Sequence, residues 1–227
     1  MKSRSEEIAT NLASVHNRIA TASRQAKRNE DDITLIAVTK TYPSTDVEVL
    51  YDLGLRNFAE NRDNEGRQKS EEVPATWHFQ GQIQSNKIAS IASWATVIHS
   101  LDDPQHLRLL SKAVAESKVI SIFIQVCLDN HPARGGISPE GLFPLAELVL
   151  QDSSFSLEGL MSVAPLGENP ESAYMRLAQI HSDFSQQFPS AKSLSAGMSG
   201  DFEVAIKYGA THVRVGSSIL GSRAHLG

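Results

Sequence analysis

Eight short apolar runs, each followed by a segment of helical spacing, occupy residues 33 to 218 and leave few folds open. The candidate strands read ITLIAVTK (33–40), NFAEN (57–61), TWHFQG (76–81), TVIHSL (96–101), ISIFIQVCLD (120–129), LEGLMSVAP (157–165), SLSAGM (193–198) and HVRVGSS (212–218). Strands of this length alternating with helices mark βαβ units and a parallel sheet. A chain of 227 residues is close to the usual size of a (β/α)8 barrel, and it lacks the early glycine fingerprint of an open doubly wound sheet. The expected fold is therefore α/β: one (β/α)8 TIM barrel, with residues 1–227 as a single domain.

Helix signals fall between the runs. Ser44 and Thr45 precede DVEVLYDLG, with Gly54 as the stop; Asp102 precedes PQHLRLLSKAVAES; Ser138 and Pro139 open a helix toward Gln151. Asn169 with Pro170 opens another toward Phe188, and Ser199 precedes DFEVAIKYG, stopped at Gly209. Ahead of the first strand, Ile8, Leu12, Val15 and Ile19 recur at helical spacing among polar residues, which marks an amphipathic helix over 4 to 28. The sequence ends at Gly227, with nothing long enough after the eighth strand for a large final helix. The N-terminal segment, residues 1–30, is accordingly expected to pack on the barrel.

The charge pattern narrows the function. A net charge of −5 and a pI near 5.9, with basic residues spread along the chain, give no electrostatic footprint for nucleic acid or an anionic membrane. A small-molecule partner is expected. The lone cysteine, Cys127, cannot form an intramolecular disulfide and fits a reducing compartment, and the opening MKSRSEE lacks an apolar signal core. These features point to a cytoplasmic protein.

Barrel chemistry gathers at the C-terminal ends of the strands. Lys40 closes the first run on the same pleat parity as Ile36 and Val38, so it points toward the mouth; a lysine there either begins a solvated loop or, partly desolvated, condenses with an aldehyde. The seventh and eighth runs exit as GMSGD and RVGSSILG, where Ser199, Gly216, Ser217 and Ser218 can serve as ordinary caps and turns or cradle a phosphate. Arg214 alternates with Val213 and Val215; if the valines face the helices, it faces inward and needs an acceptor, either an internal carboxylate such as Glu60 or Asp201 or a ligand heteroatom. Asn61, next to Glu60 and one turn before Glu65, is a helix N-cap or a ligand contact. His78 and His99 lie on strands with no metal-ligand spacing, so no metal is assigned.

In order along the chain, AVTKTYP, RNFAEN, WHFQGQIQSNK, VIHSLD, LEGLMSVAP and LSAGMSGDFEVAIKYGATHVRVGSSILGSR resemble the pyridoxal phosphate homeostasis protein family, also called the YggS or PROSC family. The resemblance implies a monomeric barrel similar to the N-terminal domain of alanine racemase, with pyridoxal phosphate as a Schiff base on Lys40. It also implies that Ser199, Gly216 and Ser217 take the phosphate, Arg214 faces the pyridine nitrogen and Asn61 lies near the ring. Two positions depart from the family pattern: Arg62 stands where an aromatic is usual, and Arg134 where a lysine is usual. The function implied is a non-catalytic carrier in vitamin B6 and amino-acid homeostasis, since no second β domain follows Gly227 to supply the opposing acid or base of a racemase. The alternatives are a racemase-like enzyme using Tyr42, His78 or His99 as second base, and a phosphate-binding barrel enzyme without pyridoxal phosphate.

Overall fold

The computed structural model describes residues 3–129 and 135–221. Its strands are β1 (Thr34–Val38), β2 (Asn57–Glu60), β3 (Thr76–Phe79), β4 (Val97–Leu101), β5 (Ile120–Gln125), β6 (Phe155–Met161), β7 (Ser193–Ser195) and β8 (His212–Val215). They pair in parallel in chain order, and β8 returns to β1 to close the barrel. The helices are α1 (Arg4–Gln25), α2 (Ser44–Asp52), α3 (Asp63–Glu72), α4 (Ile88–Trp94), α5 (Pro104–Ala113), α6 (Leu142–Leu150), α7 (Pro170–Gln187), α8 (Phe202–Lys207) and α9 (Ser217–Leu220).

All eight expected strands form, and all but β4, which ends with its run at Leu101, end before their apolar runs do. The surplus residues turn into the mouth: Thr41 adopts φ 70° just beyond Lys40, and Gly197 adopts φ 92° beyond β7. The expected caps shift likewise. Ser44 lies inside α2, whose N-cap is Pro43, and α5 is capped by Asp103, whose carboxylate accepts the Gln105 N–H at 2.7 Å. Asp102 instead accepts the Gly136 N–H at 2.8 Å. Ser138 opens a short 3-10 turn ahead of α6, whereas Asn169 caps α7 as expected.

Alternation along the strands separates two environments. Leu35, Ala37, Phe58, Trp77, Ile98, Ile122, Val213 and Val215 face the helices and join the main core. Inside the barrel lie two small apolar clusters, Ile36–Val38–Ala59 and Val97–Phe123–Met161, and a column of buried polar side chains. Cys127 is buried near the end of β5.

The opening helix forms because Ser3 and Glu6 make a reciprocal capping box and because Ile8, Leu12, Val15, Ile19 and Ala22 give it one apolar face. That face lies against α8, α9 and α2, beside the β8–β1 closure.

Candidate functional site

At the C-terminal mouth, a cavity of about 460 Å³ is lined by Val38, Lys40, Asn61, Gln80, Met161, Val163, Met198, Ser199, Gly200, Arg214, Gly216 and Ser217. The six residues singled out from the sequence, namely Lys40, Asn61, Ser199, Arg214, Gly216 and Ser217, thus meet on one wall system. Gln80, Met161, Val163 and Met198 were not foreseen. Their only sequence signal is position, since each follows or ends a strand run, where a barrel places its ligand contacts.

Lys40 is exposed at the rim, and both its neighbours are held from behind. Thr39 is fully buried; its hydroxyl donates to Glu60 Oε1 at 2.6 Å, and its carbonyl accepts from Lys69 Nζ at 2.8 Å. Lys69, from α3, also donates to Glu60 Oε1 at 2.6 Å. On the other side, the Thr41 N–H donates to Glu65 Oε2 at 2.6 Å. A β-branched residue at positive φ is strained, so the fixed partners on either side hold the turn that presents Lys40. Burial pushes the Glu60 carboxyl upward, against the bonds from Lys69 and Thr39. Burial pushes Glu65 the same way, but the Thr41 N–H, Arg62 and Lys69 outweigh it and hold Glu65 below the usual range.

Asn61 is not the cap of α3, because that position falls to Arg62. Its Oδ1 is buried without a hydrogen-bond partner among the described residues, and the backbone is fixed by close approach: a Cβ on Gly81 would stand 2.0 Å from the Asn61 carbonyl. Ser199 is not the cap of α8 either, since Asp201 holds that place. The Ser199 hydroxyl reaches across the mouth and accepts the N–H groups of Gly216 at 3.2 Å and Ser218 at 3.3 Å. A serine oxygen therefore occupies the acceptor position between the β7 and β8 exits.

Arg214 faces inward, and among the described residues it forms no ion pair. Glu60 faces α3 and pairs with Lys69, while Asp201 accepts from the Met198 N–H and the Tyr174 hydroxyl. Arg214 donates instead to Ser195 Oγ at 2.6 Å and to the Ser162 carbonyl at 3.0 Å. From Ser195 a chain runs down the barrel. Ser195 Oγ contacts His99 Nδ1 at 2.9 Å, His99 Nε2 contacts His78 Nδ1 at 2.8 Å, and His78 Nε2 contacts Asn57 Oδ1 at 3.0 Å. The Asn57 Oδ1 can only accept, so with one proton on each imidazole the directions follow from that end: His78 Nε2 donates to Asn57, His99 Nε2 donates to His78 Nδ1, and Ser195 donates to His99 Nδ1 while accepting from Arg214. Each imidazole carries one proton. Burial, reinforced by the charge on His212, lowers His78 to about 3. Burial, with His78, Arg214 and His212, drives His99 well below its ordinary value. His212 falls to about 4 and Arg214 to about 10, again mainly through burial. Tyr42, at the rim, donates its hydroxyl to the Gly221 carbonyl at 2.5 Å. Arg134 lies outside the described residues.

The family model described as alanine racemase, N-terminal domain, matches residues 10–224. The pyridoxal phosphate homeostasis protein of Mycobacterium leprae is 38% identical over 96% of this chain and 93% of its own length, and that of Escherichia coli is 34% identical over 96% and 97%. Among solved structures, PipY of Synechococcus elongatus with pyridoxal phosphate bound is 30% identical, with a TM-score of 0.81 over 94% of this chain and all of that one. Alanine racemase of Corynebacterium glutamicum, at 14% identity and a TM-score of 0.68 over 93% of this chain and 64% of that one, shares the fold.

Proposed function

This chain belongs to the pyridoxal phosphate homeostasis proteins of the alanine racemase N-terminal domain family, and from that premise we propose that it is a non-catalytic carrier holding pyridoxal phosphate as a Schiff base on Lys40. The observation that carries the reading is the meeting of Lys40, Asn61, Ser199, Arg214, Gly216 and Ser217 on one cavity.

The residues fit the group. Lys40 offers an amine at the rim of a cavity large enough for a substituted pyridine. Ser199 already draws the Gly216 and Ser218 N–H groups toward a single oxygen, as a phosphate oxygen would. Asn61 brings a buried acceptor with no partner among the described residues. When bound, the cofactor supplies a reactive aldehyde and a conjugated ring that can withdraw electrons.

Arg214 sets how far that withdrawal goes. Its guanidinium only donates, so a ring nitrogen meeting it must accept and remain without a proton, which weakens electron withdrawal. A racemase-like reading also needs a second acid or base. His78 and His99 do not line the cavity, and each has both ring nitrogens committed within the barrel. The Tyr42 hydroxyl is turned to the Gly221 carbonyl. These observations favour retention over turnover.

We read the carrier as a cytoplasmic monomer in vitamin B6 and amino-acid homeostasis whose partner is the cofactor, with neither nucleic acid nor membrane as a ligand. Among the described residues, no helix is long and apolar enough to cross a membrane. The test is to load the protein with pyridoxal phosphate and incubate it with L-alanine in D2O. Exchange of the α-proton no faster than with the same concentration of free cofactor is expected; exchange well above that level would restore the racemase-like alternative.

A further inference from the structure

The loops that carry Ser199 and Gly216–Ser218 are joined at their tips by long hydrogen bonds. Besides the two N–H groups that reach Ser199 Oγ, Ser218 Oγ donates to the Ser199 carbonyl at 3.3 Å. A third element bridges both loops from behind. Arg18 of α1 donates through Nη2 to the Ser199 carbonyl at 3.2 Å and through Nη1 to Ser218 Oγ at 3.4 Å. Its Nε donates to Glu203 Oε1 at 2.6 Å, and the guanidinium lies 4.4 Å from the centre of the Phe202 ring. The same face of α1 repeats this at heptad spacing: Arg4 donates to the Leu220 carbonyl at 2.9 Å and Asn11 to the Ile219 carbonyl at 3.0 Å. Positions 4, 11 and 18 thus form a polar seam along the segment that follows β8.

We propose that Arg18 is a positioning residue for the cofactor's phosphate monoester, and that through it the N-terminal helix sets the preference for phosphorylated over unphosphorylated ligand. The inference rests on the reading that Ser199, Gly216 and Ser217 take the phosphate. Two loops held at their tips by bonds of 3.2–3.3 Å can spread when a dianion arrives, and a fork donating to both fixes their separation. The Glu203 carboxylate, held by Nε, orients the guanidinium so that its two Nη groups face the two loops. The Arg18–Glu203 pair is more than one-third exposed on both sides, so it contributes little to the stability of the fold and can be removed without unfolding it.

The experiment titrates the full chain separately with pyridoxal phosphate and with pyridoxal, trapping bound ligand with borohydride, in wild type, Arg18→Met and Arg18→Lys. Arg18→Met keeps an apolar stem over Phe202 and removes the fork. It is expected to bind pyridoxal phosphate about tenfold more weakly with pyridoxal unchanged, while its melting temperature without ligand stays close to wild type. Arg18→Lys, with the charge but a single donor point, should fall between the two. Equal loss for both ligands, or no loss for either, in Arg18→Met or in Arg18→Lys would overturn the proposal. A wild-type protein that binds the two ligands equally would instead overturn the phosphate site on which it stands.

Discussion

The two sides of the barrel mouth are held by different chemistry. On the β1–β2 side, the residues flanking Lys40 are fixed by a buried ion pair, Lys69 with Glu60, and by the Glu65 carboxylate on the Thr41 N–H. On the β7–β8 side, the loops meet through the Ser199 and Ser218 hydroxyls and two backbone N–H groups at 3.2–3.3 Å, braced by a partly exposed arginine. A buried charge pair tolerates no rearrangement, because either partner alone is costly. Neutral donors next to solvent exchange one acceptor for another at small cost. The first arrangement suits a covalent anchor that must stay in place, and the second suits a phosphate that must be admitted and released.

Removing one charge from the rigid side should have the largest effect. Lys69→Met leaves Glu60 buried without its partner and is expected to cost about 3–5 kcal/mol in chemical denaturation. Lys69→Met combined with Glu60→Gln should recover most of that loss. A single variant as stable as wild type would mean that the Lys40 turn is not held by charge.

Each buried histidine on the barrel floor should respond to acid by a smaller amount per pH unit. His78, His99 and His212 have folded-state pKa values below their unfolded values, so the unfolded chain binds more protons as pH falls below about 6.5. Stability from these histidines is therefore full above that pH and declines as it falls, by up to about 1.4 kcal/mol per pH unit for each histidine. Melting followed between pH 7 and pH 5 should show this slope, and His78→Gln with His99→Gln should flatten it. An unchanged slope in the double variant would contradict the neutral chain below Arg214.

The smallest effect belongs to the adaptable side. Ser199→Ala removes two long bonds next to solvent and should change stability by about 1 kcal/mol or less, while weakening retention of pyridoxal phosphate more than of pyridoxal. A large loss of stability would place Ser199 with the rigid side and dissolve the contrast.

Much of this was legible in the sequence. The eight runs, the parity of Lys40 with Ile36 and Val38, and the alternation that turns Arg214 inward all follow from local pattern. The strand ends were not, because an apolar run continues through residues such as Val163 and Met198 that line a cavity instead of pairing. Long-range partners were also hidden. His78 and His99 each read as a lone strand histidine, and only barrel closure aligns them with Ser195 and Arg214. Lys69 lies in DNEGRQKSEE, polar on every side, and nothing local marks it as buried, although Glu65 four residues earlier hints at its face. The Arg4, Asn11 and Arg18 seam was hidden as well, because polar residues on an amphipathic helix are singled out only by the carbonyls they meet.

The most direct test of the account is borohydride reduction of the protein loaded with pyridoxal phosphate, followed by peptide mapping in wild type and Lys40→Ala. The account predicts a pyridoxyl group on Lys40 alone, absent from Lys40→Ala, whose melting temperature without ligand is unchanged because the Lys40 tip is exposed. Modification at another lysine, or trapping that persists in Lys40→Ala, would show that the cofactor is anchored elsewhere and that the cavity between the β1 and β8 exits is not its site.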